Sequence, residues 1–381
     1  MRIGIEAQRI FRKNKHGMDF VVLQEIKELQ KLDTKNEYFV FVAPGEDRCL
    51  EDTHNVHIME IGGNMYPIWE QSTLPHAAME LNLDMLHCTS NTAPIHCDIP
   101  LILTLHDIIF LEPRSKFNLS IYQNLGWLYR RIVVKRILNK CRRIITVSEF
   151  ELNNIVSKLS IPQERMAMIY NGYTDWFKPA TESDFTFQKY IDDSGYFFFL
   201  GNTDPKKNTE RTLIAYAKYL EKSDFKRKLL LADLDRAYLS EILLRNHIEH
   251  IRKMIVIPGY IVNQDLPNIY NNAFAFLYPS LRESFGIPLL EAMACGTPVI
   301  TSNTSSMPEI GGPYAILINP ESADEIADMM LKLENDDDFY RKQEEVGLQR
   351  AKLFSWRNTA ERLLEVYEDV YKELRRSGKK I

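Results

Sequence analysis

AFAFLYPSLRESFGIPLLEAMACGTPVITS, residues 273–302, holds one complete strand–helix–strand unit. AFAFLYP (273–279) is a short apolar and aromatic run closed by a proline, the pattern of a strand buried on both faces. A polar loop follows, and Gly286, Ile287 and Pro288 lead into a helix over 287–294, with proline near its first turn. TPVITS (297–302) is then a second strand. A strand joined through a helix to another strand implies a parallel sheet.

The same alternation extends in both directions. YFFFLG (196–201), RKLLLA (227–232), KMIVIPG (253–259) and AILIN (315–319) read as further strands, with helices at 207–222, 235–248, 265–272 and 322–334. In the first half RIGIEA (2–7), YFVFVA (38–43), VHIMEI (56–61), DMLHCT (84–89), PLILTLH (100–106) and RIITVS (143–148) read as strands. Phe20, Leu23 and Ile26 give the segment 18–32 helical spacing. Between the halves, NGYTDWFKPATESDFTFQ (171–188) has no period and reads as a linker. The expected domains are 1–178 and 179–354, both doubly wound and α/β. A final helix over 355–381 is expected to return to the first. Ligands of such sheets bind at the carboxyl ends of strands, so functional residues belong in the loops after them.

At 381 residues the chain suits two domains, and 45% hydrophobic residues exclude disorder as a description of the whole. A net charge of −5 argues against a dedicated nucleic-acid binder. No run reaches about 18 apolar residues, and MRIGIEAQRI is not expected to be a secretory signal. Five cysteines without a CxxC pair fit a reducing cytosol. His87-Cys88 and His96-Cys97 hint at zinc, but neighbours on a strand face opposite ways, so a strand end followed by a loop is the preferred reading. Sixteen glycines include no GxG, so the dinucleotide and Walker fingerprints are absent.

Chemistry concentrates in four places. Glu283 and Glu291 flank the helix start, with seven residues between them. Backbone N–H groups near Ser284, Phe285 and Gly286 would converge there on an anion, with a carboxylate on either side for hydroxyls. A nucleotide-diphosphate sugar has that layout; an ordinary helix with a favourable acidic start fits the spacing equally. GNTDPKKN (201–208) places Lys206 and Lys207 after a strand, to meet a diphosphate or merely solvent. In LTLHDIIFLEP (103–113), His106 ends a strand, either to touch substrate or as a buried histidine bonded to backbone. Gly17 would permit close approach of a ligand before the first helix.

ESFGIPLLEAMACGTPVITS with PEIGG (308–312) resembles the signature of the family-4 retaining glycosyltransferases, glycosyl transferases group 1 of the GT-B fold. WEQSTLP (69–75), HDIIFLEP (106–113), TVSEF (146–150), YNGYTDWFKP (170–179) and PGYIVNQDLPNIY (258–270) follow in that family's order. The resemblance implies two Rossmann-like domains facing a central cleft, the first for the acceptor and the second for a nucleotide-sugar donor. It implies no metal and no cofactor. By position it implies that Glu283 holds the donor sugar, Glu291 the ribose and Lys207 the diphosphate. Phe285 and Gly286 would assist, Tyr260 and Ile261 would line the base pocket, and His106 would lie near the reacting sugar. Asn202 stands where many members have arginine, with Lys206 as a partial replacement. The Gly17 loop has one glycine where two are usual.

The implied reaction moves a hexose of mannose or glucose type to a glycan or lipid-linked acceptor of surface polysaccharide. An epimerase and a non-catalytic nucleotide-sugar binder are the alternatives. Asp233–Asp235 and Asp336–Asp338 form DxD triplets, with metal binding the lesser reading. LYRRIVVKRILNKCRRI (128–144) has many cations and no acid. It reads either as a packed helix with a basic outer face or as a peripheral contact with an anionic bilayer, aided by Arg375, Arg376, Lys379 and Lys380. The expected location is cytoplasmic, including the inner face of the membrane.

Overall fold

The computed structural model describes residues 1–63, 65–112, 121–181 and 184–376, with the side chains of 121–123 excluded. The chain forms two units, Met1–Gly172 with Trp356–Ile381, and Tyr173–Ser355. Lys379 and Lys380 lie outside the described residues.

The first unit is a parallel sheet of β1 (Arg2–Glu6), β2 (Glu37–Val42), β3 (Val56–Glu60), β4 (Met85–Cys88), β5 (Leu101–Thr104), β6 (Cys141–Thr146) and β7 (Met166–Met168). Their order is β3-β2-β1-β4-β5-β6-β7. Alternate residues serve opposite cores: Tyr38, Val40 and Val42 join one cluster, Phe39 and Phe41 the other. That two-sided burial is why the strands are continuous apolar runs. Helix α1 (Gly17–Leu32) covers one face, and α2 (Ile121–Ile137) and α3 (Glu149–Leu159) follow later in this unit.

The second unit is a parallel sheet of β8 (Tyr196–Leu200), β9 (Leu229–Ala232), β10 (Ile255–Val256), β11 (Ala273–Tyr278), β12 (Val299–Ser302) and β13 (Ile316–Ile318), in the order β10-β9-β8-β11-β12-β13. Its helices include α4 (Thr209–Lys222), α5 (Arg236–Arg245), α6 (Leu266–Asn272), α7 (Ile287–Ala294), α8 (Ala323–Asn335) and α9 (Asp337–Ala351). The last helix, α10 (Trp356–Arg376), packs on the first unit, where Leu363, Tyr367, Val370 and Leu374 share a core with Ile3, Ile5 and Val22.

Several sequence expectations shift. The boundary falls at Gly172 rather than 178, because buried Phe177 packs 6.0 Å from Tyr270 and Lys178 O accepts from Asn271. Strand β7 goes unread in the sequence, being a three-residue edge strand of Met and Ala. Helix α9 also escapes the sequence reading, since only Gln343, Gly347 and Ala351 of it are buried. β10 shrinks to two residues where Pro258 and Gly259, at φ +84°, follow it closely. The basic stretch 128–144 is not one helix: α2 ends at Ile137 and β6 begins at Cys141.

Candidate active site

The candidate donor site gathers at the carboxyl edge of the second sheet, from the loops after β8, β11 and β12. After β8 the chain makes a short turn over Pro205–Lys207, capped by Asp204, whose Oδ1 accepts from Lys206 N at 3.1 Å. Asn202 Oδ1 accepts from Asp204 N at 2.9 Å, so this residue shapes the loop. Asn208 adopts φ +59° and donates through Nδ2 to Pro279 O at 2.9 Å and Pro320 O at 2.6 Å. One side-chain amide therefore ties three loops together.

That tie brings Lys207 to Glu283. Nζ lies 2.7 Å from Oε1, with the side chains 19% and 14% exposed, and 5.2 Å from the Tyr278 ring centroid. Lys206 is more open and sits 3.4 Å from Asp204. The Glu283 loop is pinned from the loop after β12: Glu283 N donates to Ser305 Oγ at 3.2 Å. Ser306 Oγ donates to Glu283 O at 3.0 Å and Phe285 O at 3.2 Å.

Gly286 is the N-cap of α7 at φ +97°, and a Cβ there would stand 2.5 Å from Met307 Cε. The backbone conformation demands glycine, while the Met307 methyl at the end of a flexible side chain would have to shift for a Cβ. Ser284 is partly exposed, while Phe285 is buried edge-on to Phe354, with centroids 6.0 Å apart. Phe285 can therefore serve a ligand only through its backbone. Glu291 lies one turn into α7; burial of its carboxyl pushes the pKa up to about 8, and Tyr270 OH donates weakly at 3.5 Å. Tyr260 is 66% exposed, whereas its neighbour Ile261 is buried.

Two predicted residues lie in the first unit. His106 is buried, and its Nε2 donates to Thr89 O at 2.9 Å, the backbone-bonded arrangement that the sequence left open. That bond selects the tautomer with Nδ1 as acceptor, and burial lowers the pKa, keeping the ring neutral. Thr89 is in turn held by Glu6, through Thr89 N to Oε2 at 3.3 Å and Thr89 Oγ1 to Glu6 O at 2.7 Å. Gly17 is the first residue of α1, behind the N-cap His16, whose backbone N–H donates to Asp19. A Cβ there would meet nothing within 4 Å.

Sequence reasoning missed Ser305 and Ser306, which bond Glu283 and Phe285, and Asn208 and Glu6, which hold the loops around Lys207 and the Thr89 partner of His106. Only the position of Asn208 at the end of the lysine loop signalled it. The other candidates are accounted for structurally. Asp235 and Asp336 are N-caps of α5 and α9, and His87 bonds Tyr367 OH and Thr104 Oγ1 at 2.8 and 2.7 Å.

The profile of Glycosyl transferases group 1 matches residues 182–350, and that of Glycosyltransferase Family 4 matches 16–175. The chain belongs to the family-4, group 1 glycosyltransferases. This glycosyltransferase is 31% identical over 235 residues to O-antigen chain mannosyltransferase B of Escherichia coli, covering 61% of each chain. It is 28% identical over 234 residues to the serotype-specific mannosyltransferase WbdA of Escherichia coli, covering 57% of this chain and 27% of that one. The match thus spans less than two thirds of either relative's length. Among solved structures it resembles sucrose-phosphate synthase from Thermosynechococcus elongatus, with TM-score 0.73 and 18% identity over 98% and 99% of the two chains. Anabaena HepE, solved with UDP and glucose, gives TM-score 0.71 and 16% identity over 96% and 99%. Those likenesses show the GT-B fold for this family-4 chain.

Proposed function

We propose that this chain transfers a hexose from a nucleotide-diphosphate sugar to a glycan or lipid-linked acceptor in surface-polysaccharide synthesis, with retained configuration and without a metal. The observation that carries this reading is the Lys207–Glu283 pair at 2.7 Å, in the loop that enters α7, with Glu291 one turn into that helix. A diphosphate takes over Lys207, supported by Lys206, the Asn202 loop and the backbone of Ser284, Phe285 and Gly286. Glu283 then accepts from sugar hydroxyls and Glu291 from the ribose. Exposed Tyr260 covers the base above Ile261. Gly17 admits the phosphates closely and His106 contacts the reacting sugar.

The C–O bond to the diphosphate breaks on the face where the acceptor oxygen bonds, and the departing phosphate oxygen takes the acceptor's proton. Lys207 and the helix N-terminus stabilise the charge that develops, so the positive charge is supplied by the chain. One aspartate of each triplet, Asp235 and Asp336, is a helix N-cap, which supports that assignment. Lys207→Ala is expected to abolish turnover, and NMR of the product anomer tests retention. Nucleoside-diphosphate release that does not depend on acceptor would favour a nucleotide-sugar epimerase or hydrolase instead.

The chain acts in the cytosol against the inner membrane face. Leu125, Leu128 and Ile132 are exposed on α2, beside exposed Lys135 and Arg136, which supports docking on an anionic bilayer. No helix among the described residues is long and apolar enough to cross a membrane. Sedimentation with anionic liposomes across a salt series tests the docking.

A further inference from the structure

Strand β4 carries one imidazole in an otherwise apolar run, Met85-Leu86-His87-Cys88, and all four residues are buried. A polar ring in a sheet core costs free energy unless its nitrogens are bonded, and an apolar side chain would fill the same place without that cost. Both nitrogens of His87 are bonded. Nδ1 lies 2.8 Å from Tyr367 OH, and Nε2 lies 2.7 Å from Thr104 Oγ1. Tyr367 reaches it from α10, 280 positions later, fully buried and with its ring edge-on to the imidazole at 5.7 Å between centroids. Burial lowers the His87 pKa to about 3, so the ring is neutral, with one nitrogen donating and the other accepting.

Thr104 continues the path toward His106. Its backbone O accepts from Asn91 N at 3.2 Å, and Asn91 Oδ1 accepts from His106 N at 2.6 Å. Asn91 stands in the left-handed region at φ +67°, a conformation that persists where the surroundings fix it. Thr89, two residues beyond His87, holds the imidazole itself, its O accepting from Nε2 at 2.9 Å. Residues 89 and 91 thus clasp His106 at ring and backbone, and both belong to the segment that leaves β4 just after His87. The other ring nitrogen, Nδ1, makes no hydrogen bond among the described residues.

We propose that Tyr367 is a positioning residue for His106, acting through His87, Thr104 and Asn91, so that the last helix sets where the imidazole presents Nδ1. This rests on the reading of His106 as the residue that contacts the reacting sugar. The physical reason is rigidity. A fully bonded polar path in a low-dielectric core has one arrangement, whereas an apolar contact between the same elements tolerates sliding. A reacting group needs placement within a fraction of an ångström, which packing of α10 on the sheet does not by itself supply.

Two readouts on the full chain test this. The first is the ¹⁵N resonances of the His106 ring in the free protein. They are expected to move in Tyr367→Phe and in Thr104→Val, each of which removes one hydroxyl from the path. They are expected to stay in Leu363→Ala, which opens a cavity in the same core outside the path. The second is steady-state release of nucleoside diphosphate from UDP-glucose and from GDP-mannose. Tyr367→Phe is expected to lower kcat by about tenfold and to leave the donor KM within about twofold. Tyr367→Phe/Thr104→Val is expected to lose no more than the stronger single variant, since both cut one path. Ring resonances unmoved in either variant, an equal movement in Leu363→Ala, or wild-type kcat in Tyr367→Phe overturns the proposal. If neither donor is turned over, or Tyr367→Phe does not fold, the resonances of Thr104→Val against Leu363→Ala decide. His106→Ala tests the underlying reading separately: turnover near wild type there removes the sugar contact and leaves the result on the path standing.

Discussion

Lys207 and Glu283 pair at 2.7 Å across 76 positions of sequence, each with less than a fifth of its side chain exposed. In the free protein the two groups satisfy each other. On the proposed donor reading a diphosphate sugar would replace that contact with one to each partner, the diphosphate on Lys207 and the sugar hydroxyls on Glu283.

Removing the lysine leaves a partly buried carboxylate uncompensated. Lys207→Ala is expected to lower kcat by about 100-fold or more and to weaken nucleoside-diphosphate binding. A double-mutant cycle with Lys207→Met and Glu283→Gln is expected to give a coupling of about 1–3 kcal/mol in thermal or chemical unfolding. Turnover within a few-fold of wild type in Lys207→Ala would sink the electrostatic mechanism.

Gly286 stands at φ +97° with Met307 Cε where a Cβ would go. Gly286→Ala is expected to destabilise the protein by about 1–3 kcal/mol, read by urea unfolding, and to misplace the start of α7. Adding Met307→Ala relieves the clash but not the backbone strain, so rescue is expected to be partial. Full rescue would show that only space mattered.

Desolvation pushes the Glu291 carboxyl up to about 8 from its ordinary 4.5. Its folded pKa lies above the unfolded one, so this contribution to stability is intact below about pH 4.5 and lost as pH rises through 8. Glu291→Gln removes the ionisation. The variant's melting temperature is expected to gain about 4–8 °C on wild type between pH 5 and pH 8.5. Parallel pH curves for the two proteins would refute the assignment.

Glu6 acts on His106 through Thr89. Glu6→Gln replaces one accepting oxygen with an NH2 group, so either Gln8 N–H or Thr89 N–H loses its acceptor. The variant is expected to lose about 1–3 kcal/mol of stability and to shift the ¹⁵N resonances of the His106 ring as the Nε2–H form loses its fixed carbonyl. Unchanged ring resonances would mean that Thr89 is held independently of Glu6.

Much of the fold was legible because strands buried on both faces announce themselves as continuous apolar runs. YFVFV and YFFFL lie in sheets for that reason. Edge elements broke the rule: MAM at 166–168 pairs along one side only, and α9 buries too narrow a stripe to show a period. The linker was half misread because Phe177 and Phe187 in an otherwise polar stretch pack onto the second unit, a fact visible only once Tyr270 and Tyr196 stand beside them.

The residues themselves determined two parallel α/β units, the start of a helix at Gly286–Pro288, and the loops in which chemistry would reside. Local pattern suffices there, since strand period, turn conformation and helix capping involve neighbours within a few positions. Tertiary structure alone decided that Lys207 meets Glu283, that Asn208 binds three loops, that Glu6 holds the carbonyl facing His106, and that Tyr367 of the last helix caps His87. Each of those contacts joins segments far apart in the chain, brought within hydrogen-bond distance by burial of the apolar faces between them.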